Sequence, residues 1–310
     1  MAEITIFTAP KPFTNPHIAL IQRNAIESWT HLGEDVEVLV IGDEEGIGEV
    51  CEELKVRHLP DVKRNNSGTP LVSSIFQMAR EASDSPVLVY VNADVIFFPE
   101  MVERINLVAD KEKNFLLVGQ RWDLDLREQI DFSGDWVAWL NQEVASRGRL
   151  HPRGGSDYFV FPRACFSDMP EFAIGRAGWD NWMFYKARYE SWKLIDSTQD
   201  IRIIHQDHDY SHLPQGQPHY RLPETEENVR LAGGKRTIFN LLDADFALES
   251  GEIKQARMTN EKWLREVEIF PLVKLHSYSL GQLMFALFHP QKAWKEFRAA
   301  LAKRGNQAKA

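Results

Sequence analysis

The sequence predicts an α/β fold in which helices flank a mostly parallel central sheet. Apolar runs of strand length alternate with segments in which apolar residues keep helical spacing. A strand at Ile4–Thr8, a helix over Pro16–Leu32 and a strand at Val36–Ile41 have the order of a βαβ crossover. The run Val87–Val91 is apolar without alternation, which is typical of a parallel strand covered on both faces.

The amino-acid composition limits the classes of protein and of function to which the chain can belong. The chain has 310 residues, 44% hydrophobic and 26% charged, which fits one large globular domain or a domain with an extension. Its net charge of -9 argues against general nucleic-acid binding. Only two cysteines occur, Cys51 and Cys165, the amino terminus lacks secretory-signal features, and no apolar segment has membrane-spanning length. We therefore expect a cytoplasmic protein.

A polar turn, Asn92-Ala93-Asp94, follows the strand Val87–Val91. Open α/β folds bind ligands at the carboxyl ends of their strands. The oxygens of Asn92 and Asp94, two residues apart, suit a hard divalent cation that neutralises a diphosphate. The alternative is an ordinary turn whose side chains satisfy backbone groups.

Two later stretches also carry candidate chemistry. Gly154-Gly155-Ser156-Asp157 precedes an apolar strand, and Gly178-Trp179-Asp180-Asn181 precedes an amphipathic helix. Glycine allows close approach of backbone to a ligand. Asp180 is placed either to cap the helix or to take a proton from a hydroxyl group.

A histidine-rich segment follows the apolar strand Ile201–Ile204. It reads His205-Gln206-Asp207-His208-Asp209-Tyr210-Ser211-His212, with three histidines and two aspartates. Histidine is the commonest side-chain metal ligand, so this cluster predicts a metal site. His205-x-Asp207 with a later histidine also fits the facial triad of non-haem iron oxygenases, but those enzymes use an antiparallel jelly roll.

Three further stretches suggest ligand contacts. The polar loop 63–70 precedes a helix whose N-terminus favours anions, and Arg64 and Asn66 lie in it; a solvated basic loop is the alternative. Trp122 next to Asp123 suits a carbohydrate, because the ring stacks on C–H groups while the acid accepts hydroxyl hydrogen bonds. Core packing is the alternative for the tryptophan. Three residues of a polar segment downstream are further candidates for phosphate or acceptor contacts: His219, Tyr220 and Arg221.

These landmarks occur in the order found in glycosyltransferases of the nucleotide-diphospho-sugar-binding GT-A fold, and the chain resembles inverting, family-2-like members over roughly residues 3–215. GT-A is a Rossmann-like α/β fold. Asn92-Ala93-Asp94 resembles the DxD motif with Asn92 in place of the first aspartate. Gly178-Trp179-Asp180 resembles the xED motif with Trp179 in place of the glutamate.

The resemblance implies a role for each matching position. Asp180 is the expected catalytic base. A divalent metal, Mn²⁺ or Mg²⁺, is expected on Asp94 and His205 with help from Asn92, and His208 is the alternative histidine. The expected nucleotide-binding residues are Thr8, Ala9, Asp43, Arg64, Asn66, Asn92 and Ala93. The expected acceptor-binding residues are Trp122, Asp123 and Trp179.

The chain is expected to divide into a catalytic domain, 1–230, and a carboxy-terminal helical extension, 231–310. From Lys292 to Ala310 there are six basic residues and one acidic residue, and Trp294 and Phe297 share a helical face. Such a helix suits peripheral contact with the inner membrane face near lipid-linked acceptors. Packing on the catalytic domain is the alternative.

The predicted activity is inverting, metal-assisted transfer of a sugar from a nucleotide-diphosphate donor to a saccharide or lipid-linked saccharide, in polysaccharide biosynthesis. A sugar-phosphate nucleotidyltransferase is disfavoured, since Thr8–Pro12 lacks the glycine-rich loop of that class. A non-catalytic, membrane-surface binding protein of a polysaccharide assembly system is the remaining alternative, favoured by Asn92 and Trp179.

Overall fold

The computed structural model describes residues 2–154, 156–208 and 222–307, with side chains up to Leu301. The strands are β1 Ile4–Thr8, β2 Val36–Ile41, β3 Arg57–Leu59, β4 Val87–Val91, β5 Val95–Phe97, β6 Phe115–Val118, β7 Trp122–Leu124, β8 Arg149–Leu150, β9 Tyr158–Pro162, β10 Lys193–Asp196, β11 Ile203–Gln206, β12 Phe246–Glu249 and β13 Glu252–Gln255. The helices are α1 Pro16–Thr30, α2 Ile47–Leu54, α3 Val72–Ala82, α4 Glu100–Lys111, α5 Trp136–Arg147, α6 Trp179–Tyr189, α7 Pro223–Leu231, α8 Asn260–Val273, α9 Tyr278–Phe288 and α10 Pro290–Gln307.

A nine-stranded sheet forms the centre of the fold, in the order β13-β12-β10-β6-β9-β4-β1-β2-β3. Only β9 and β13 run antiparallel to their neighbours in this sheet. Alternate residues of the strands face two cores, one shared with α3, α6 and α8, the other with α1, α2 and α4. This architecture confirms the predicted α/β fold and is not the jelly roll of the iron-oxygenase alternative.

A second sheet of four short strands, in the order β5-β11-β7-β8, stands beside the carboxyl edge of the first. β11 pairs antiparallel with β5, placing His205 opposite Val95. It also pairs in parallel with β7, placing His205 opposite Asp123. Because β5 begins directly after Asp94, this register brings a late histidine next to the turn that follows β4.

The start of α6 depends on glycine. Gly178, its N-cap, has φ +110°, which side-chain-bearing residues rarely adopt. Asp180 lies in the first turn, where a carboxylate interacts favourably with the helix dipole. The predicted helix is therefore confirmed, but it begins earlier than expected, at Trp179, and its N-cap is Gly178 instead of Asp180.

The carboxy-terminal part differs from the expectation of a purely helical extension from residue 231. β12 pairs in parallel with β10, and β13 pairs with β12, so this segment completes the edge of the large sheet. The all-helical part of the described chain begins at α8. Among the described residues no helix has the length and apolarity needed to cross a membrane. Both cysteines are free and buried.

Candidate active site

Asp94 lies at the centre of a buried charged cluster. Its Oδ2 is 3.1 Å from Nε2 of His208, and its Oδ1 is 3.9 Å from Nε2 of His205. One ligand atom from each of these three residues lies within 4.8 Å of the other two. The fold therefore brings together the predicted carboxylate, the predicted histidine and the alternative histidine.

The donor set fits a divalent metal. Asp94 is 8% exposed, and its buried Oδ1 has no hydrogen-bond partner among the described residues. A buried acceptor without a partner is costly, and a cation would satisfy it. One carboxylate with two imidazoles suits a transition metal such as Mn²⁺ better than Mg²⁺, which prefers oxygen ligands throughout.

His205 is oriented by acids on its far side. Its Nδ1 is 3.4 Å from Asp123 Oδ1 and 3.8 Å from Asp207 Oδ1, which leaves Nε2 on the side of Asp94. Burial lowers the pKa of His205, but these acids and Asp94 raise it overall to about 9. Nδ1 makes no hydrogen bond of full geometry among the described residues, but the two nearby carboxylates are the kind of support that metal-binding histidines receive.

Asp94 stays ionised in this setting. Burial raises its pKa, but the hydrogen bond with His208 and the charges of His205 and Lys11 outweigh burial and hold the pKa well below its usual range. Lys11 was not predicted from the sequence. Its Nζ lies 3.2 Å from His208 Nε2 and 3.7 Å from Asp94 Oδ2, so a protein cation already contacts two of the candidate ligands.

Asn92 occupies a different place from the one expected of a ligand. Its Nδ2 donates to Asp157 Oδ1 at 2.8 Å, and its Oδ1 accepts from the Tyr90 hydroxyl at 3.2 Å. The other carboxylate oxygen of Asp157 accepts from Arg121 Nη1 at 2.5 Å. In this structure the Asn92 amide bridges Tyr90 and Asp157 instead of joining the Asp94 set, and its role in metal binding remains a prediction.

Asp180 is half-buried at the amino end of α6, and its Oδ1 accepts from the Gly178 amide at 3.2 Å. Burial and then the charge of Asp157 raise its pKa, while backbone hydrogen bonds oppose the rise. Burial and the charges of Asp94, Asp157 and Asp180 likewise raise the pKa of the Tyr90 hydroxyl well above its usual range. Trp179, next to Asp180 in the chain, packs edge-on against Tyr90, whose hydroxyl donates to Asn92, so Asp180 follows a residue that packs on the strand ending at the Asn92 turn.

Most residues predicted to bind the nucleotide lie at the ends of β1, β2 and β4, whereas Arg64 and Asn66 lie in the loop between β3 and α3. Arg64 forms ion pairs with Asp43 and Glu44, so two of the predicted residues meet. The buried Thr8 hydroxyl has no hydrogen-bond partner among the described residues, and Asn66 is exposed in its loop. Ala9 directly follows β1, and Ala93 is the second residue after the end of β4.

The residues predicted to bind the acceptor lie in different surroundings. Trp122 is half-buried on β7. Asp123 accepts from Arg121 Nε at 2.9 Å and lies 2.8 Å from His151 Nδ1, so it belongs to the charged cluster. Trp179 is 5% exposed, with its ring edge-on to Tyr90 at 5.0 Å between centroids. The expectation of an acceptor contact at Trp179 is therefore corrected, because the ring is a core residue.

Some residues of the cluster were not nominated from the sequence, and others lie outside the described residues. The unpredicted members are Lys11, Arg121, His151 and Asp157. Arg121 directly precedes β7 and is two residues from Asp123, a spacing that puts side chains on one side of an extended chain and could have identified Arg121. The predicted candidates outside the described residues are Gly155, Asp209, His212, His219, Tyr220 and Arg221.

Comparisons with known proteins give likenesses in structure alone. No protein-family model matches the chain, and no curated protein matches it. It is similar to glucosyl-3-phosphoglycerate synthase from Mycobacterium tuberculosis at 14% identity, over 76% of this chain and 82% of that one, with a TM-score of 0.49. It is also similar to a mannosyltransferase from Pyrobaculum calidifontis solved with GDP-Man and Mn²⁺, at 12% identity over 65% and 56% of the two chains, with a TM-score of 0.40.

A third likeness is to TarS from S. aureus, at 13% identity over 67% of this chain and 59% of that one, with a TM-score of 0.40. At such identities and scores, the likenesses identify neither a substrate nor a family. The fold assignment rests on the sheet order and register of this chain.

Proposed function

We propose that the chain is an inverting, metal-assisted glycosyltransferase that uses a nucleotide-diphosphate sugar. The observation that carries the proposal is the set of Asp94, His205 and His208, of which the first two are buried, at the carboxyl edge of a parallel sheet. Ligands bind at this edge in open α/β folds. The resemblance of the motifs around Asn92 and Asp180 to those of GT-A enzymes supports the same assignment.

In the proposed site Asp94, His205 and His208 hold Mn²⁺ or Mg²⁺, of which their donor atoms favour Mn²⁺. When bound, such a cation neutralises charge on the departing diphosphate. Asp123 and Asp207 hold the His205 ring with Nε2 on the metal side. Lys11, at the mouth of the same cluster, supplies a second positive charge to the diphosphate.

Asp180 is the proposed base, which removes the proton from the acceptor hydroxyl as that oxygen attacks the anomeric carbon. A raised pKa suits this role, because a stronger base takes a hydroxyl proton more readily. The proposed donor contacts are Thr8, Ala9, Asp43, Arg64, Asn66 and Ala93, with Asn92 placing Asp157.

The acceptor is proposed to be a saccharide or lipid-linked saccharide in polysaccharide biosynthesis, contacted by Trp122 and Asp123. We also propose the cytoplasmic face of a membrane as its place of action, with peripheral contact through α10. The division into a catalytic part, 1–230, and a carboxy-terminal extension likewise remains a proposal.

The test is a thermal-shift panel of UDP, GDP, CMP and dTDP, each with and without Mn²⁺, since a ligand of the native state raises the melting temperature. One nucleotide should raise it only with Mn²⁺, and Asp94→Asn should abolish that shift. Asp84→Asn, at an exposed position before β4, is the matched control and should keep it. Absence of any shift in the wild-type chain would contradict the proposed donor site.

A non-catalytic binding protein is the second candidate. Two observations favour it: Asn92 is engaged with Asp157, and Lys11 contacts both Asp94 and His208. Such a protein would have lost efficient metal binding, so it would neither show the Mn²⁺-dependent shift nor hydrolyse a donor sugar. Measuring donor hydrolysis with Mn²⁺ separates the two functions.

A further inference from the structure

Exposed apolar side chains are concentrated at one end of the chain. Of the thirteen large hydrophobic residues that are exposed among the described residues, twelve lie between Met258 and Leu301. The thirteenth is Leu150. Surface hydrophobic residues that occur singly are normal, whereas a concentration of them indicates an interaction surface.

α9 is the most apolar element of this region. It contains no charged residue over its 11 positions. Gly281 lies against α8 so closely that a Cβ there would be 2.5 Å from Leu272 Cγ. At about 100° per residue, Leu280, Leu283 and Leu287 share an arc of about 60° on the side away from Gly281. α9 is therefore attached by one face and exposes leucines on the other, and Leu287 is 66% exposed.

α10 repeats this arrangement. Its exposed Trp294, Phe297 and Leu301 follow i, i+3, i+7 spacing, and the rings of Trp294 and Phe297 stack at 5.8 Å. Glu296, on the other side of the helix, forms an ion pair with Arg236 at 2.7 Å. That ion pair fixes the helix with its apolar stripe facing away from the rest of the protein.

α8 adds a third apolar stripe. Trp263 and Phe270 are seven residues apart, so they share a face, and both are at least half exposed. Their helix packs on the core through Ile269, Leu272 and Val273. Three consecutive helices thus bury one face in the protein and expose an apolar face with tryptophan or leucine.

Basic residues lie in and between the same helices: Arg298 is next to the apolar stripe of α10, whereas Lys292, four residues before Glu296, is on the other side of that helix. Lys274, Lys292, Lys295 and Arg298 are exposed, and none forms an ion pair with another residue of the described ranges. From Asn260 to Leu301 there are six basic and four acidic residues, a balance of 6 − 4 = +2, whereas the whole chain carries -9. The surface is therefore both apolar and locally cationic on an acidic protein.

We propose that the exposed faces of α8, α9 and α10 form a docking surface for an anionic lipid bilayer. Leucine and phenylalanine enter the acyl boundary, the tryptophans lie at the headgroup level, and the four cations meet anionic headgroups. A symmetric contact with a second copy would instead place these cations against one another. The surface extends the contact proposed for α10 and is independent of the chemistry at Asp94.

Vesicle co-sedimentation of the full chain tests the proposal. Binding is expected to vesicles of phosphatidylcholine containing roughly one third phosphatidylglycerol, and to fall steeply with phosphatidylcholine alone. Leu283→Gln with Leu287→Gln should weaken binding by about tenfold or more, whereas Leu150→Gln, the exposed leucine elsewhere, should leave it unchanged. Lys292→Glu with Lys295→Glu should weaken it by at least about tenfold, unlike the matched control Lys111→Glu with Lys113→Glu.

Equal binding to neutral and anionic vesicles, or equal behaviour of the α9 variant and Leu150→Gln, would overturn the proposal. The proposal would also be overturned if the wild-type chain did not bind vesicles but formed a concentration-dependent dimer that the α9 variant abolished. That result would assign the surface to a contact with a second copy. Circular dichroism checks folding of each variant. If the double leucine variant does not fold, Trp294→Ser on α10 replaces it, with the same loss of binding expected.

Discussion

At position 92 the structure explains a departure from the GT-A motif. The Asn92 side chain faces the carboxylate of Asp157 and donates to it at 2.8 Å. An aspartate there would have no proton to donate and would face a second negative charge. Asparagine at this position is therefore required by its neighbour, whether or not the site holds a metal.

Asn92→Asp is accordingly expected to destabilise the fold by about 2 kcal/mol, because it replaces a half-buried hydrogen bond with like-charge repulsion. Urea unfolding measures the change. Asn66→Asp, at an exposed loop position, is the control and should leave the unfolding midpoint unchanged. An Asn92→Asp variant as stable as the wild type would contradict the role assigned to this hydrogen bond.

Asp123 is expected to position His205 for metal binding. Asp123→Asn should weaken Mn²⁺ binding by roughly 10- to 100-fold, the usual cost of removing a carboxylate behind a metal-binding histidine. Calorimetric titration with Mn²⁺ measures the affinity directly, without relying on activity. Asp125→Asn, one residue beyond the strand and exposed, provides the comparison. The same loss in both variants would show that the effect is one of general charge.

Asp180 gives a prediction with a pH signature. Asp180→Asn keeps an oxygen to accept from Gly178 but is no base, so kcat should fall by about 10²- to 10⁴-fold while nucleotide binding is retained. In the wild type, activity should fall as the pH drops through a pKa higher than that of an ordinary aspartate. The variant should lose this acid limb. Full turnover by Asp180→Asn would mean that Asp180 only caps α6.

At the scale of elements, close packing of α9 on α8 depends on one glycine. Gly281→Ala would place its Cβ 2.5 Å from Leu272 Cγ, so the helices must separate or Leu272 must move, at a cost of about 1–3 kcal/mol. Thermal unfolding measures it. Gly48→Ala in α2 meets nothing closer than 3.9 Å and should be neutral or stabilising. A neutral Gly281→Ala would mean that α9 is loosely attached.

Sequence patterns predicted elements with a strong apolar pattern and missed the shortest strands, as well as the helices α2 and α5. The apolar run of β4 and the helical spacing of α1 are strong signals, and both elements lie where they were expected. β5, β7 and β8 have two or three residues each, too few for any periodicity, yet they carry Asp123 and align His205. Lys11 could not be predicted, because its place beside Asp94 depends on how the loop after β1 folds back.

At the scale of the whole molecule, the large sheet uses strands from both sides of the expected boundary at residue 230. A fragment of residues 1–230 would lack β12 and β13 and leave β10 as an unpaired edge, and it would lose the α8 residues of the core. We expect this fragment to aggregate or to unfold without cooperativity, while the full chain unfolds cooperatively. Calorimetry of the fragment and of the full chain measures how cooperatively each unfolds. Cooperative unfolding of the fragment would support a domain boundary at residue 230.

The order of the strands in the large sheet also affects how the chain folds while the ribosome synthesises it. β4 lies between β1 and β9, and β10 is flanked by β6 and by β12, which is made some fifty residues later along the chain. A growing polypeptide therefore carries an open β10 edge on the ribosome until residues past 250 have emerged, and non-local pairings of this kind form slowly. The nascent chain should accordingly be a substrate for chaperones that shield unpaired strands during translation.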